Sequence, residues 1–176
     1  MSKFNYLEDK LLQDRIIFLG TPIDDTVATQ TIARLLFLEA QSKDTAISLY
    51  INSPGGSVTA GVAILDTMRS LKPPVHTVCI GQANSMAAII LTAGVHGNRI
   101  ALTNATIGFS EVTASGPMTP EKLDHLNKLQ TILTDTVVQN TNMTTEQVHQ
   151  FFSSGRLIPP TEARALGIID TIATPR

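Results

Sequence analysis

Ser85 is the residue that its neighbours best suit for attack on a carbonyl. It stands in Gly81-Gln82-Ala83-Asn84-Ser85-Met86-Ala87-Ala88. Before it, Val75 to Ile80 reads as a buried strand; after it, a small-residue apolar segment through Ala93 reads as a helix. A serine at a strand-to-helix turn, among residues too small to block approach, holds its hydroxyl near the positive end of the helix dipole and suits a nucleophile. The same residue at the same place also serves as an ordinary helix N-cap, and this stretch alone leaves both readings open. A second turn, Asn52-Ser53-Pro54-Gly55-Gly56-Ser57, ends the preceding strand. If the two strands run parallel, both turns fall on one sheet edge, where α/β sites form. Glycine there presents its N–H with no side chain in the way. The Gly56 and Met86 amides can then converge beside the Ser85 hydroxyl as an oxyanion hole. The plainer alternative is that Pro-Gly-Gly is only a sharp turn.

The elements that must position these residues alternate. Asn5 to Leu12 reads as a short amphipathic helix and Arg15 to Leu19 as a short strand. Asp24 and Asp25 cap a helix to about Ser42, with Val27, Ile32, Leu35, Leu36 and Leu38 on its apolar face. Ala46 to Ile51 reads as a buried strand and Val58 to Ser70 as a helix. After the Ser85 helix come strand candidates at Asn98 to Ala101 and Thr106 to Phe109, then a long helix from Pro120 to about Asn140. Thr144 caps a further helix; Pro159 and Pro160 start a last one that Gly167 stops; Ile168 to Ile172 closes as a strand. The pattern predicts an α/β domain of βαβ units.

Composition narrows the function classes. A chain of 176 residues is expected to form a single domain over 1–176 with a real core. Hydrophobic residues are 43% and charged ones 16%, which predicts surface buried against other subunits. A net charge of −2 gives nucleic acid nothing to bind. Cys79 is the one cysteine, so no internal disulfide or cysteine-cluster metal site is available, which fits a reducing compartment. Met1 to Asp14 has no signal-peptide core, and the longest apolar run, Met86 to Val95, is too short to span a bilayer.

Ile51-Asn52-Ser53-Pro54-Gly55-Gly56-Ser57-Val58-Thr59-Ala60-Gly61 followed by the Ser85 stretch resembles the proteolytic subunit of the Clp protease, the ClpP family. Asp14 to Gly20, Leu35 to Ala40 and Thr161 to Asp170 resemble it too, so the likeness covers nearly the whole chain. The resemblance implies a crotonase-like fold of stacked βαβ units with a protruding helical handle. It implies heptameric rings, usually two face to face, enclosing a chamber where unfolded peptides are cut. It implies Ser85 as nucleophile with Gly56 and Met86 as oxyanion donors. The implied partner is a ring-shaped AAA+ unfoldase that binds the ATP, so no cofactor is expected on this chain. A cytoplasmic location, or an organelle lumen of bacterial origin, is implied as well.

The sequence departs from the family pattern in ways that bear on activity. The family's catalytic histidine follows a strand; at that place Ile107-Gly108-Phe109-Ser110-Glu111-Val112 puts Ser110. Counting back from Glu162-Ala163 puts Gly155 where the family has its catalytic aspartate. A serine hydroxyl is a poor nucleophile until a base takes its proton. Ser110 is no base near neutral pH, and Gly155 has no side chain to orient one. The subunit is therefore expected to be a catalytically impaired, ClpR-like member with a structural or regulatory role, in homo- or hetero-oligomeric rings. The alternatives are an active serine peptidase with a rearranged base and, more remotely, crotonase-like acyl-CoA binding. Glu111 is the candidate surrogate base, although a continuing strand would point it away; His76, His96, His125 and His149 are expected to be remote or solvent-facing. Only Met1-Ser2-Lys3-Phe4 precede Asn5, so most of the family's axial loop is expected to be missing and unfoldase docking weakened. The handle region, 111–140, is expected to lack the family's glycine-rich strand and to be about one helical turn short.

Overall fold

The computed structural model describes residues 3–113 and 116–173. Helix α1 (Lys3–Gln13) leads into β1 (Ile16–Leu19), α2 (Asp25–Gln41), β2 (Ile47–Ser53), α3 (Val58–Ser70) and β3 (Val75–Asn84). Then follow α4 (Met86–Thr92), β4 (Arg99–Leu102), β5 (Thr106–Gly108), α5 (Pro120–Asn140), α6 (Thr145–Ser154), β6 (Leu157–Ile158), α7 (Pro160–Ala165) and β7 (Thr171–Ala173). The fold is α/β, with strands in the order β1-β2-β3-β4-β7, every neighbouring pair parallel. Of the four residues expected ahead of the first helix, Lys3 and Phe4 lie within α1, while Met1 and Ser2 are outside the described residues.

Parallel strands need crossovers, and here each crossover helix lays its apolar side on one face of the sheet. In β2, Ile47, Leu49, Ile51 and Ser53 are buried and alternate with half-exposed or exposed Ser48, Tyr50 and Asn52. So the strand is covered on one face, not both, which corrects its reading as a buried strand. On the other face Phe18 and Tyr50 pack with ring centroids 5.5 Å apart. The core joins α2, α3 and α4 to the covered face through Leu35, Leu38, Ile64, Leu65, Ile89 and Ile90. Leu36, expected on the inward side of α2, is exposed with Phe37. Asp24 caps α2 through a 2.8 Å bond from the Val27 N–H, and Thr144 and Gln147 form a capping box on α6.

Two features were not expected. Strand β3 does not stop at Ile80 but runs to Asn84, leaving Ser85 as a one-residue turn into α4. Its first half pairs with β4 (Thr77↔Arg99 to Cys79↔Ala101) and its second half with β5 (Gln82↔Thr106 to Asn84↔Gly108). The sheet therefore changes partners just before Ser85. The two-residue strand β6 is the other addition, antiparallel to β5. Conversely, Ile168 and Ile169 are buried but outside any strand, and the closing strand starts later, at Thr171. Only the C-terminal half of α5 is buried, at Leu133, Thr134, Thr136 and Val137; Leu123 and Ile132 are exposed.

Candidate active site

The turn at Ser85 is set by backbone, not by capping. Its φ of 50° and ψ of −123° lie where L-residues are strained. An ordinary N-cap has extended backbone and a side chain bonded to the helix; Ser85 has neither, since its hydroxyl makes no cap bond to α4. What holds the strained turn is its own N–H, which donates to the Gly108 carbonyl at 2.8 Å, together with the Ala88 N–H donating to the Ser85 carbonyl at 3.0 Å. The Met86 N–H is the first amide of α4 and has no intrahelical acceptor by geometry.

The Pro-Gly-Gly turn presses directly on this elbow. A Cβ on Gly55 would stand 2.5 Å from the Asn84 carbonyl oxygen, 2.8 Å from Ser85 Cβ and 3.1 Å from the Met86 nitrogen. Only glycine fits there, and φ of +90° asks for glycine as well. Ile23 fixes the next residue: its N–H donates to the Gly55 carbonyl and its carbonyl accepts from the Ser57 N–H, each at 2.8 Å. In a parallel bridge of this kind the middle residue, Gly56, turns its own N–H away from Ile23. Ser53, fully buried, locks the turn from behind, donating from Oγ to the Thr21 carbonyl (2.7 Å) and accepting from the Gly55 N–H (3.1 Å). Ser53 and Ile23 were not singled out from the sequence. For Ser53 a signal existed, a hydroxyl two residues before the first glycine; for Ile23 there was none, because its partner is more than 30 positions away in the chain.

Strand β5 pairs with β6 as Ile107↔Ile158 and Gly108↔Leu157; Ser110 lies two residues beyond this pairing on one side and Gly155 two residues before it on the other. Gly108 is the close-contact point, since a Cβ there would meet Leu157 Cδ2 at 2.7 Å and the Arg156 carbonyl oxygen at 2.9 Å. Phe109 anchors the segment to α6, its ring 5.8 Å from Phe151 and 5.6 Å from Phe152. Arg156 covers Phe151 at 4.5 Å and pairs with Glu162 at 2.5 Å. Gly155 ends α6 in the left-handed conformation, φ +57°, with open space where a Cβ would be. Ser110 is exposed. The same Gly108 whose carbonyl holds Ser85 thus starts the segment that carries Ser110.

Among the described residues, no histidine or carboxylate is hydrogen-bonded to the Ser85 hydroxyl. At about 3.3 Å per strand residue, His76 lies roughly 25 Å back along β3. His96 follows Val95, whose N–H donates to the Val75 carbonyl, so it sits at the far end of the same strand. His125 and His149 are exposed on α5 and α6. Strand β5 stops at Gly108, so the alternation expected to turn Glu111 away does not reach it; Glu111 and His149 line one cleft of about 550 Å³ beside α5 and α6. Burial pushes the Cys79 thiol up to about 11, so it stays protonated and is no second nucleophile. Among the described residues no cluster could hold a metal ion, and no helix is long and apolar enough to cross a membrane.

A strained serine at a strand-to-helix turn, with a glycine turn pressed against it, is an arrangement for acyl chemistry. A family model described as Clp protease matches residues 2–176, and the chain belongs to that family.

Proposed function

Proceeding from that membership, we propose that this chain is a catalytically impaired Clp-type proteolytic subunit. Ser85 is the nucleophile position, with the Gly56 and Met86 N–H groups as oxyanion donors. Ser110 and Gly155 occupy the base and orienter positions without the chemistry for either. One observation supports the reading: the Gly108 carbonyl that holds the Ser85 elbow starts the segment that carries Ser110, and β6, which pairs with that strand, begins two residues after Gly155. Loss of the base in a serine triad costs about a millionfold in turnover, leaving only oxyanion and binding contributions. The retained elbow and glycine turn then serve the shape of a chamber wall. We extend the family's assembly to this chain: rings with Clp-type subunits, its own copies or an active paralogue, fed by an AAA+ unfoldase in a cytoplasm or an organelle of bacterial origin. Exposed Leu36 and Phe37 on α2 support a subunit contact. The test is to give the purified chain an unfolded protein and fluorogenic peptides. Cleavage is expected to stay at the level of Ser85→Ala; processive cleavage lost in Ser85→Ala would contradict the reading.

A second reading is favoured by one feature, the shared cleft of Glu111 and His149. In it these residues supply a rearranged base. It requires peptide cleavage that depends on pH and that falls in Glu111→Gln or His149→Ala. Activity unchanged in both variants removes it.

A further inference from the structure

We propose that Gly61 is a positioning residue for the oxyanion donors: its missing side chain is the notch that seats Met86, and this seat sets where the Met86 N–H stands relative to the Gly56 N–H. The inference rests on the reading of Gly56 and Met86 as donors, and not on whether Ser85 has a base. Gly61 closes the first turn of α3, and Met86 is the first residue of α4.

Glycine inside a helix is unfavourable beside alanine, because it loses more chain freedom on folding, so its place there needs a packing reason. At Gly61 the reason is Met86. A Cβ on Gly61 would stand 2.0 Å from Met86 Cγ, 2.8 Å from Sδ and 3.1 Å from Cε. Every side-chain atom of Met86 beyond Cβ therefore lies against the glycine. Met86 is 1% exposed, and its Cγ is one bond from Cβ, so a swing of the side-chain tip does not make room for an added methyl group. Either Met86 leaves its seat or the first turn of α4 backs away. Gly61 is itself held, its N–H donating to the Ser57 carbonyl at 3.0 Å, while Ser57 Oγ caps α3 by accepting from the Ala60 N–H at 3.3 Å.

Met86 is thus gripped at both ends by one stretch of chain. Its nitrogen faces Gly55, where a Cβ would stand 3.1 Å away, and its side chain faces Gly61. Between those two glycines lie Gly56 and the cap of α3. The Gly56 and Met86 amides sit on different turns, so their separation depends on how α3 packs on α4, and the Met86–Gly61 seat is where the two first turns meet. A shift of α4 also reaches the elbow, because the Ala88 N–H donates to the Ser85 carbonyl at 3.0 Å. A donor displaced by about 1 Å stabilises an oxyanion far less.

The test compares acetylated leucyl-leucine boronic acid with the same dipeptide ending in a primary amide. The Ser85 oxygen adds to the trigonal boron, the boron becomes a tetrahedral anion and the hydroxyl proton passes to water, so no base from the protein is required. One boron-bound oxygen then stands where an oxyanion would. The amide makes the same side-chain contacts without that step, so the ratio of the two affinities reads the donors, whereas general loss of structure weakens both. The parent protein is expected to prefer the boronate, with a tetrahedral boron NMR signal, and Ser85→Ala to lose that preference. Gly61→Ala should cut the ratio about tenfold while the amide affinity stays within about twofold. Met86→Ala keeps the N–H but empties the seat, so it should cut the ratio as well, and it decides the matter if Gly61→Ala does not fold. In Gly61→Ala/Met86→Ala the added methyl group meets no Met86 side chain, so the two losses should not add. A ratio unchanged in the single variants would overturn the proposal; so would a parent protein without boronate preference, or losses that simply add in the double variant. Cleavage by the chain with Ser85 intact would overturn the impaired-subunit reading and leave this one standing.

Discussion

At Ser85 the backbone is part of the chemistry. A non-glycine residue at φ 50°, ψ −123° costs on the order of 1–3 kcal/mol, and neighbouring contacts must outweigh it. Those contacts are the Gly108 carbonyl, the α4 N-terminus and the flat surface of Gly55. Gly55→Ala adds a Cβ into the Asn84 carbonyl and Ser85 Cβ at a φ that only glycine favours, so the elbow must move. Gly155→Ala also has positive φ but meets nothing within 4 Å. Gly55→Ala is therefore expected to lower the thermal midpoint several degrees further than Gly155→Ala; equal shifts would mean the two turns do not press on each other. The same comparison says why Ser110 and Gly155 are open to restoration. Gly155 has room for an aspartate, and its left-handed conformation is one that aspartate tolerates. The serine, the glycine turn, Ser110 and Gly155 were legible as residue types. What the sequence did not carry was the strain at Ser85, because φ and ψ at a turn are set by the contacts around it.

At the scale of elements, β3, β5 and β6 decide where the site lies. The switch of β3 from β4 to β5 brings Gly108 to Ser85, and β6, which begins two residues after Gly155, pairs with the same β5. A two-residue strand has no periodicity to detect, and Val75–Asn84 hides its second half in Gly81, Gln82 and Asn84, which read as a loop. Helix ends were clearer, since Asp24 and Thr144 cap the helices that follow them. A different tie closes the other side of the sheet. Arg99, almost fully buried on β4, is held by Asp170 through Nη2 to Oδ1 at 2.6 Å and Nε to Oδ2 at 3.0 Å. It also reaches the Asn140 carbonyl at the end of α5. The hydrogen bonds from Arg99 hold the Asp170 carboxyl below its ordinary value. A carboxyl depressed in the folded state stabilises above its unfolded value, near 3.9, and that contribution is lost as pH falls through the folded value. Asp170→Asn leaves a buried guanidinium without its counter-charge and is expected to cost about 3–5 kcal/mol at pH 7. Denaturant melts across pH check this: the gap between the two proteins should shrink below about pH 4. A gap independent of pH would place the effect in packing, not charge.

At the scale of the whole molecule, the α/β frame belongs to the Clp protease family. The α/β architecture was legible because strands and helices alternate with clear punctuation. The half-covered sheet face was not, since one-sided burial depends on where the crossovers land. That face, and separately the exposed Leu36 and Phe37 on α2, suit a subunit that meets others. In the proposed role, such a subunit forms chamber wall while active neighbours cut. The central claim is that Ser85 is correctly held but has no base. Intact-mass analysis after incubation with a fluorophosphonate tests it most directly, on the folded protein, its Ser85→Ala control and the Ser110→His/Gly155→Asp double variant. The account predicts no adduct on the parent chain within the time that labels an active serine hydrolase, and an adduct on the double variant. A stoichiometric adduct on the parent chain that disappears in Ser85→Ala would contradict it.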